Sequence, residues 1–188
     1  MAGVQATGIW LRINDGFDYS KGEVVSGTLY FFCGKMGAGK STRSRLVATE
    51  EKAVLISEDE WLSMLYPDQI NTFDDYRRYS ARLKPLVFSH VENLLRMGSN
   101  VVLDFPANTV GQRKWFSELV KTAGATGKLI YIKASDEICL KQIAIRRTEQ
   151  PERAKFDTES VFNEVTRFFE EPGDSEGLDV LVIVEDVK

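Results

Sequence analysis

Apolar and polar positions alternate in blocks along the chain. Five short apolar runs stand out: 28–33 (TLYFFC), 53–56 (AVLI), 100–103 (NVVL), 128–132 (KLIYI) and 179–184 (DVLVIV). They are rich in β-branched and aromatic residues and show no clean polar alternation. This pattern predicts strands covered on both faces, as in a parallel sheet. Between them, apolar positions recur at helical spacing over 40–50, 73–97, 110–123, 135–149 and 157–170. Pro85 predicts a kink or break in the longest of these. Strands alternating with helices predict a doubly wound α/β fold. Two segments fit less well. Residues 1–27 precede the first core strand and are set apart as an extension to a domain at 28–188. Within them, 8–13 reads either as an extra strand followed by the turn signal Asn14-Asp15-Gly16 or as a loose leader. Residues 148–157 (TEQPERAKFD) are polar and read as a mobile loop.

Composition narrows the class. A length of 188 residues fits one domain. With 43% hydrophobic and 28% charged residues, a disordered chain and a disulfide-stapled miniprotein are both excluded. Cys33 and Cys139 form no metal-ligand spacing, and the single histidine, His90, excludes a His-rich metal site. A net charge of −4 argues against a dedicated nucleic-acid binder, which carries a basic excess. The local cluster Arg77, Arg78, Arg82 and Lys84, interleaved with Tyr76 and Tyr79, reads as a solvated helix face or as a receiver of anionic ligands. No run approaches the roughly 18 apolar residues of a membrane span. The N-terminus lacks the basic and apolar regions of a signal peptide. A cytoplasmic protein is the default expectation.

The chemistry concentrates after the first run. Gly34-Lys35-Met36-Gly37-Ala38-Gly39-Lys40-Ser41 fits GxxxxGK[ST], between a predicted strand and a helix beginning with Lys40, Ser41 and Thr42. Glycines let the backbone approach phosphate without a Cβ clash. The loop N–H groups and the helix N-terminus make an anion site. Lys40 can reach terminal phosphates, and the Ser41 hydroxyl can take a Mg²⁺ coordination position. Asp104 follows the third run. An acid at the C-terminal end of such a strand lies where ligands gather, and it can hold Mg²⁺ through water or serve as a turn residue. The second run leads into Ser57-Glu58-Asp59-Glu60. A carboxylate there can orient an acceptor hydroxyl and take its proton, with Asp59 the first choice and Glu58 the second. The same acids also suit the first turn of a helix starting near Trp61. Arg146 and Arg147, at a predicted helix end before the polar loop, are candidate lid cations or simply a solvated basic terminus. Arg113 reads as facing the same crevice or as a surface helix residue.

Taken in order, these features resemble the P-loop kinases of the zeta-toxin, chloramphenicol phosphotransferase and polynucleotide kinase group. The resemblance runs over about 28–184. It is carried by Gly34, Lys40 and Ser41, the acid turn with Asp59, Asp104 with Arg113 downstream, Arg146-Arg147, and Phe169-Glu170-Glu171-Pro172 before the last strand. It implies a five-stranded parallel sheet in the order 2-3-1-4-5, with helices on both faces and a short lid over about 146–155. It also implies ATP and Mg²⁺ as donor and cofactor, and Asp59 as base. Phe105-Pro106 departs from the small or polar residues common after the strand acid. The acid turn also lacks the basic neighbour often present in polynucleotide kinases.

The expectation is therefore an ATP-dependent kinase acting on a hydroxyl of a small molecule. A polynucleotide 5′-hydroxyl kinase is the first alternative, and a nucleotide-dependent switch acting through a protein partner is the second. No NKxD-type guanine-specificity motif occurs in the chain. The acceptor and the oligomeric state are not encoded in any motif.

Overall fold

The computed structural model describes residues 26–185, so the predicted strand or leader at 8–13 lies outside the described residues. Five strands, β1 (Thr28–Cys33), β2 (Val54–Ser57), β3 (Val101–Pro106), β4 (Thr126–Ala134) and β5 (Val180–Glu185), form one sheet in the order β2-β3-β1-β4-β5. Every pairing is parallel. Six α-helices accompany them among the described residues: α1 (Lys40–Glu50), α2 (Glu58–Leu65), α3 (Phe73–Arg96), α4 (Val110–Ala123), α5 (Asp136–Glu149) and α6 (Glu159–Thr166). This is the expected fold and strand order. Among the described residues no helix is long and apolar enough to cross a membrane.

The central strand shows why the apolar runs are continuous. In β1, Leu29, Phe31 and Cys33 face one core with α2, α3 and α4, while Tyr30 and Phe32 face a second core with α1, α5 and α6. Side chains point alternately to the two faces, so a strand covered on both sides needs apolar residues at every position. Phe31 stacks on Phe116 of α4, with ring centroids 4.5 Å apart and planes 7° from parallel.

Two expectations are corrected, each for a local reason: of the kink or break expected at Pro85 the break does not occur, and the last apolar run is not covered on both faces among the described residues. Pro85 neither breaks nor ends α3, which runs unbroken from Phe73 to Arg96. Pro85 and Ala81 are both exposed, so water reaches the carbonyl that the missing N–H leaves free, while Leu83, Val87, Val91 and Leu95 lock the opposite face into the core. Among the described residues β5 is not covered on both faces. It pairs only with β4 among the described strands and leaves Leu181, Val182 and Val184 more than half exposed.

Candidate nucleotide-binding site

The P-loop is built as its glycines require. Gly37 has φ +79°, and a Cβ there would lie 2.4 Å from the Cys139 carbonyl oxygen of α5. Gly39 has φ +93° with nothing within 4 Å of an added Cβ, so the loop's outer rim is open. Gly34 donates its N–H to Asn108 Oδ1 at 3.0 Å, which ties the loop to the segment after β3. Lys35 reaches Asp136, in the first turn of α5, at 2.5 Å. Met36 and Ala38 pack into the α1/α5 core.

The anion site lies at the start of α1. Helices α2 through α6 each begin with a Ser or Thr side chain accepting a backbone N–H. α1 begins at Gly39 with no side-chain cap and no acid in its first turn. The first N–H groups of a helix lack intrahelical acceptors and carry the positive end of its dipole. Here they are left for an outside anion, with Ser41 and Thr42 exposed beside them. Lys40 Nζ donates to the carbonyls of its own loop, Gly34 at 2.6 Å and Lys35 at 3.0 Å. Burial lowers the Lys40 pKa, nearby Asp104 opposes that shift, and the charge of Arg146 adds to it. An ammonium so placed gains from an incoming polyphosphate.

Asp104 completes this side. It pairs in register with Ser57 of β2. The β1/β3 register then slips, Phe31 opposing Leu103 but Phe32 opposing Pro106. A bulge of this kind re-aims side chains at the mouth of a sheet. It turns Phe105 into the core near Trp115, with ring centroids 6.4 Å apart. The Phe105-Pro106 departure is thus accommodated by packing. Burial raises the Asp104 pKa, while the Ser41 hydroxyl and Lys40 pull it down. Among the described residues no cluster of three His, Cys, Asp or Glu side chains forms a protein-only metal site. Ser41 and Asp104 supply two hard oxygen donors. That set fits Mg²⁺, which commonly takes one or two protein oxygens together with phosphate and water.

The acid turn separates its members. Ser57 caps α2 by accepting the Glu60 N–H. Asp59 is exposed and pairs with Arg153 at 3.2 Å. Glu58, the second choice for base, turns inward to 1% exposure, where it accepts hydrogen bonds from Ser80 Oγ at 2.5 Å and from the Tyr76 hydroxyl. Burial raises its pKa. Its position ties α2 to α3.

The arginines are also sorted. Arg146 is half-buried and forks onto Asp157, Nε–Oδ2 at 2.7 Å and Nη2–Oδ1 at 2.5 Å, while Arg147 is exposed. The loop expected at 148–157 contains the end of α5 and a 3₁₀ turn, Pro151–Arg153. It is strapped down by Arg153 on Asp59 and by Lys155, whose Nζ donates to the Ile70 carbonyl at 3.2 Å. Arg113 is neither a crevice nor a surface residue. It is fully buried, donating to Glu176 at 2.7 and 2.9 Å and to the carbonyls of Ala107 and Glu170 at 3.1 and 2.8 Å. The basic cluster on α3 divides between aromatic rings and one acid. Arg78 and Arg82 lie over the Tyr79 ring, Lys84 over Trp115, and Arg77 beside Asp74.

Sequence reasoning missed Asn108 and Asp157, which the structure ties to the candidate site residues Gly34 and Arg146, and it included Arg153 only as part of the lid segment 146–155. Asn108 sits four positions after Asp104 and next to the Thr109 cap of α4, a place where a capping role explains it equally well. Asp157 lies at the end of the polar segment that reads as a mobile loop, where no local pattern marks it.

A parallel sheet of this order, with an open glycine loop leading into an uncapped helix, defines a P-loop nucleotide-binding fold. Residues 29–172 match the family described as an AAA domain, and the chain belongs to that family. No curated protein matches the chain. Several solved structures share the fold. One is a protein from Chloroflexus aurantiacus assigned provisionally as a kinase (TM-score 0.68, 18% identity, covering 85% of this chain and 88% of that one). Another is the APS kinase of Mycobacterium tuberculosis in complex with AMPPNP and APS (TM-score 0.57, 22% identity, 87% and 91% covered). A third is a gluconokinase from Sinorhizobium meliloti 1021 (TM-score 0.52, 14% identity, 85% and 82% covered).

Proposed function

We propose that this protein is an ATP-dependent kinase that transfers the γ-phosphoryl group to a hydroxyl of a small molecule. Within its family it fits the zeta-toxin, chloramphenicol phosphotransferase and polynucleotide kinase type. The observation that carries the reading is the uncapped N-terminus of α1 behind an open glycine loop, with Lys40, Ser41 and Asp104 converging on it. The kinase neighbours of the fold, one of them bound to AMPPNP, support it.

The loop amides from Gly34 to Thr42 hold the phosphates, and Lys40 leaves its loop carbonyls to bridge the terminal ones. Ser41 and Asp104 would hold Mg²⁺, which neutralises charge on the phosphate oxygens when bound. Asp59 orients the acceptor hydroxyl. The acceptor oxygen bonds to the γ-phosphorus, the bond from that phosphorus to the β–γ bridging oxygen breaks, the hydroxyl proton passes to Asp59, and ADP leaves. Arg146 meets the charge spreading over the transferred group. Catalysis is then positioning and electrostatics.

The test is γ-phosphate transfer from labelled ATP with Mg²⁺ to a pooled metabolite extract and, in parallel, to a 5′-hydroxyl oligonucleotide. Wild type should yield a labelled small product. Lys40→Ala should lose it along with nucleotide affinity, and Asp59→Asn should lose it while retaining ATP binding. Label on the oligonucleotide would replace the small-molecule reading. Free phosphate alone, unchanged in Asp59→Asn, would refute the kinase.

A further inference from the structure

One buried carboxylate accepts a two-point fork from one arginine and lies 3.7 Å from the buried Nε of a second, which has no hydrogen-bond partner among the described residues. The Asp157 side chain is 0% exposed and lies immediately before Thr158, the cap of α6. Arg146 from the last turn of α5 meets it with a two-point fork. Arg153 approaches the same carboxylate at 3.7 Å through Nε and donates through Nη1 to Asp59 at 3.2 Å. The Asp157 N–H bonds the Arg153 carbonyl at 2.9 Å, so the turn between them is closed. An ionised carboxylate at this depth is held only by paired donors. A guanidinium fork fixes direction as well as charge, which a lysine does not. The fork uses Nε and Nη2 of Arg146 and leaves Nη1 for another acceptor. Arg146 is also the cation whose charge reaches Lys40 in the P-loop.

We propose that Asp157 is a positioning residue: it aims Arg146 at the terminal phosphate of the nucleotide and holds Arg153 against Asp59, so one carboxylate sets both halves of the crevice. The inference rests on the nucleotide-site reading above. It assigns Arg153, not Arg147, as the second cation of the lid.

The test is calorimetric titration of the full chain with ATP and with ADP, each with Mg²⁺ and without acceptor. The proteins are wild type, Lys40→Ala, Asp157→Asn, Arg146→Ala and the Asp157→Asn/Arg146→Ala double variant. A lost charge-assisted contact predicts about tenfold weaker ATP binding in each of the two singles, with ADP changed less than about threefold. The double variant should be no weaker than Arg146→Ala, because the two act as a unit. Losses that multiply, equal losses for ATP and ADP, or an unchanged Asp157→Asn would overturn the proposal. Arg146→Lys keeps the charge and loses the fork, so it decides the matter if Asp157→Asn does not fold. It should bind ATP like Arg146→Ala, and wild-type affinity there overturns the aiming role. If wild type binds ATP and Lys40→Ala does not, a negative result at Asp157 removes this proposal alone. If wild type binds no ATP, both readings fall.

Discussion

Arg113→Ala gives the sharpest check on how the site is supported. The guanidinium is fully buried, and four of its hydrogen bonds go to Glu176 and to two backbone carbonyls. Alanine leaves the Glu176 carboxylate, itself 13% exposed, without its partner, and strips the Ala107 and Glu170 carbonyls of this donor. Breaking a buried pair by removing one member costs about 3–5 kcal/mol. For a domain of this size each kcal/mol moves the midpoint by about 2–4 °C, so the melting temperature should fall by roughly 6–20 °C. Acid dependence should change as well. The guanidinium holds the Glu176 carboxyl below its usual range. Its stabilisation is therefore present above the ordinary glutamate value and lost as pH falls through the depressed one. Arg113→Ala should lack that component. The assay is thermal unfolding by circular dichroism across pH 3–7, with ATP titration well below the variant's midpoint. Nucleotide affinity should persist there, because none of the Arg113 hydrogen bonds goes to residues 34–42, although its Nη1 also reaches Cys33 Sγ just before the phosphate loop. A midpoint within about 2 °C of wild type together with lost ATP binding would refute the structural assignment and return Arg113 to the crevice.

Gly37→Ala should destabilise the fold and weaken ATP binding more than Gly39→Ala. Both positions carry a left-handed strain of about 1–2 kcal/mol, but only at Gly37 does the new Cβ meet the Cys139 carbonyl. Urea unfolding of the two variants side by side decides this, and equal losses would contradict it. Glu58→Gln should flatten the pH dependence of stability. Burial raises the Glu58 pKa, so the folded state holds that proton more tightly than the unfolded one. The resulting stabilisation is complete below the unfolded pKa of about 4.3 and is lost as pH rises through the folded value. The stability of the variant relative to wild type should therefore increase with pH above that point, and a constant difference between pH 4 and 8 would oppose the assignment.

The phosphate loop, the five strands and their α/β alternation are legible in the sequence because they depend on local chemistry. A run of β-branched residues is apolar whichever helix covers it, and GxxxxGK[ST] needs only its own backbone and the strand and helix beside it. The strand order followed from resemblance, not from periodicity.

Tertiary structure decided the fate of the charged and exceptional residues. Glu58 and Asp59 are neighbours of one chemical kind, yet helix geometry sends one into the core under Tyr76 and Ser80 and leaves the other exposed against Arg153. Arg113 and Arg146 each find a carboxylate, 63 and 11 residues further along the chain, at separations no local pattern encodes. Pro85 is tolerated because its exposed side faces water, and β5 is half bare because among the described strands it pairs only with β4. Apolar burial is a property of a segment and is written along it. Where a charge ends up depends on which distant partner repays its desolvation, and only the folded chain supplies that partner.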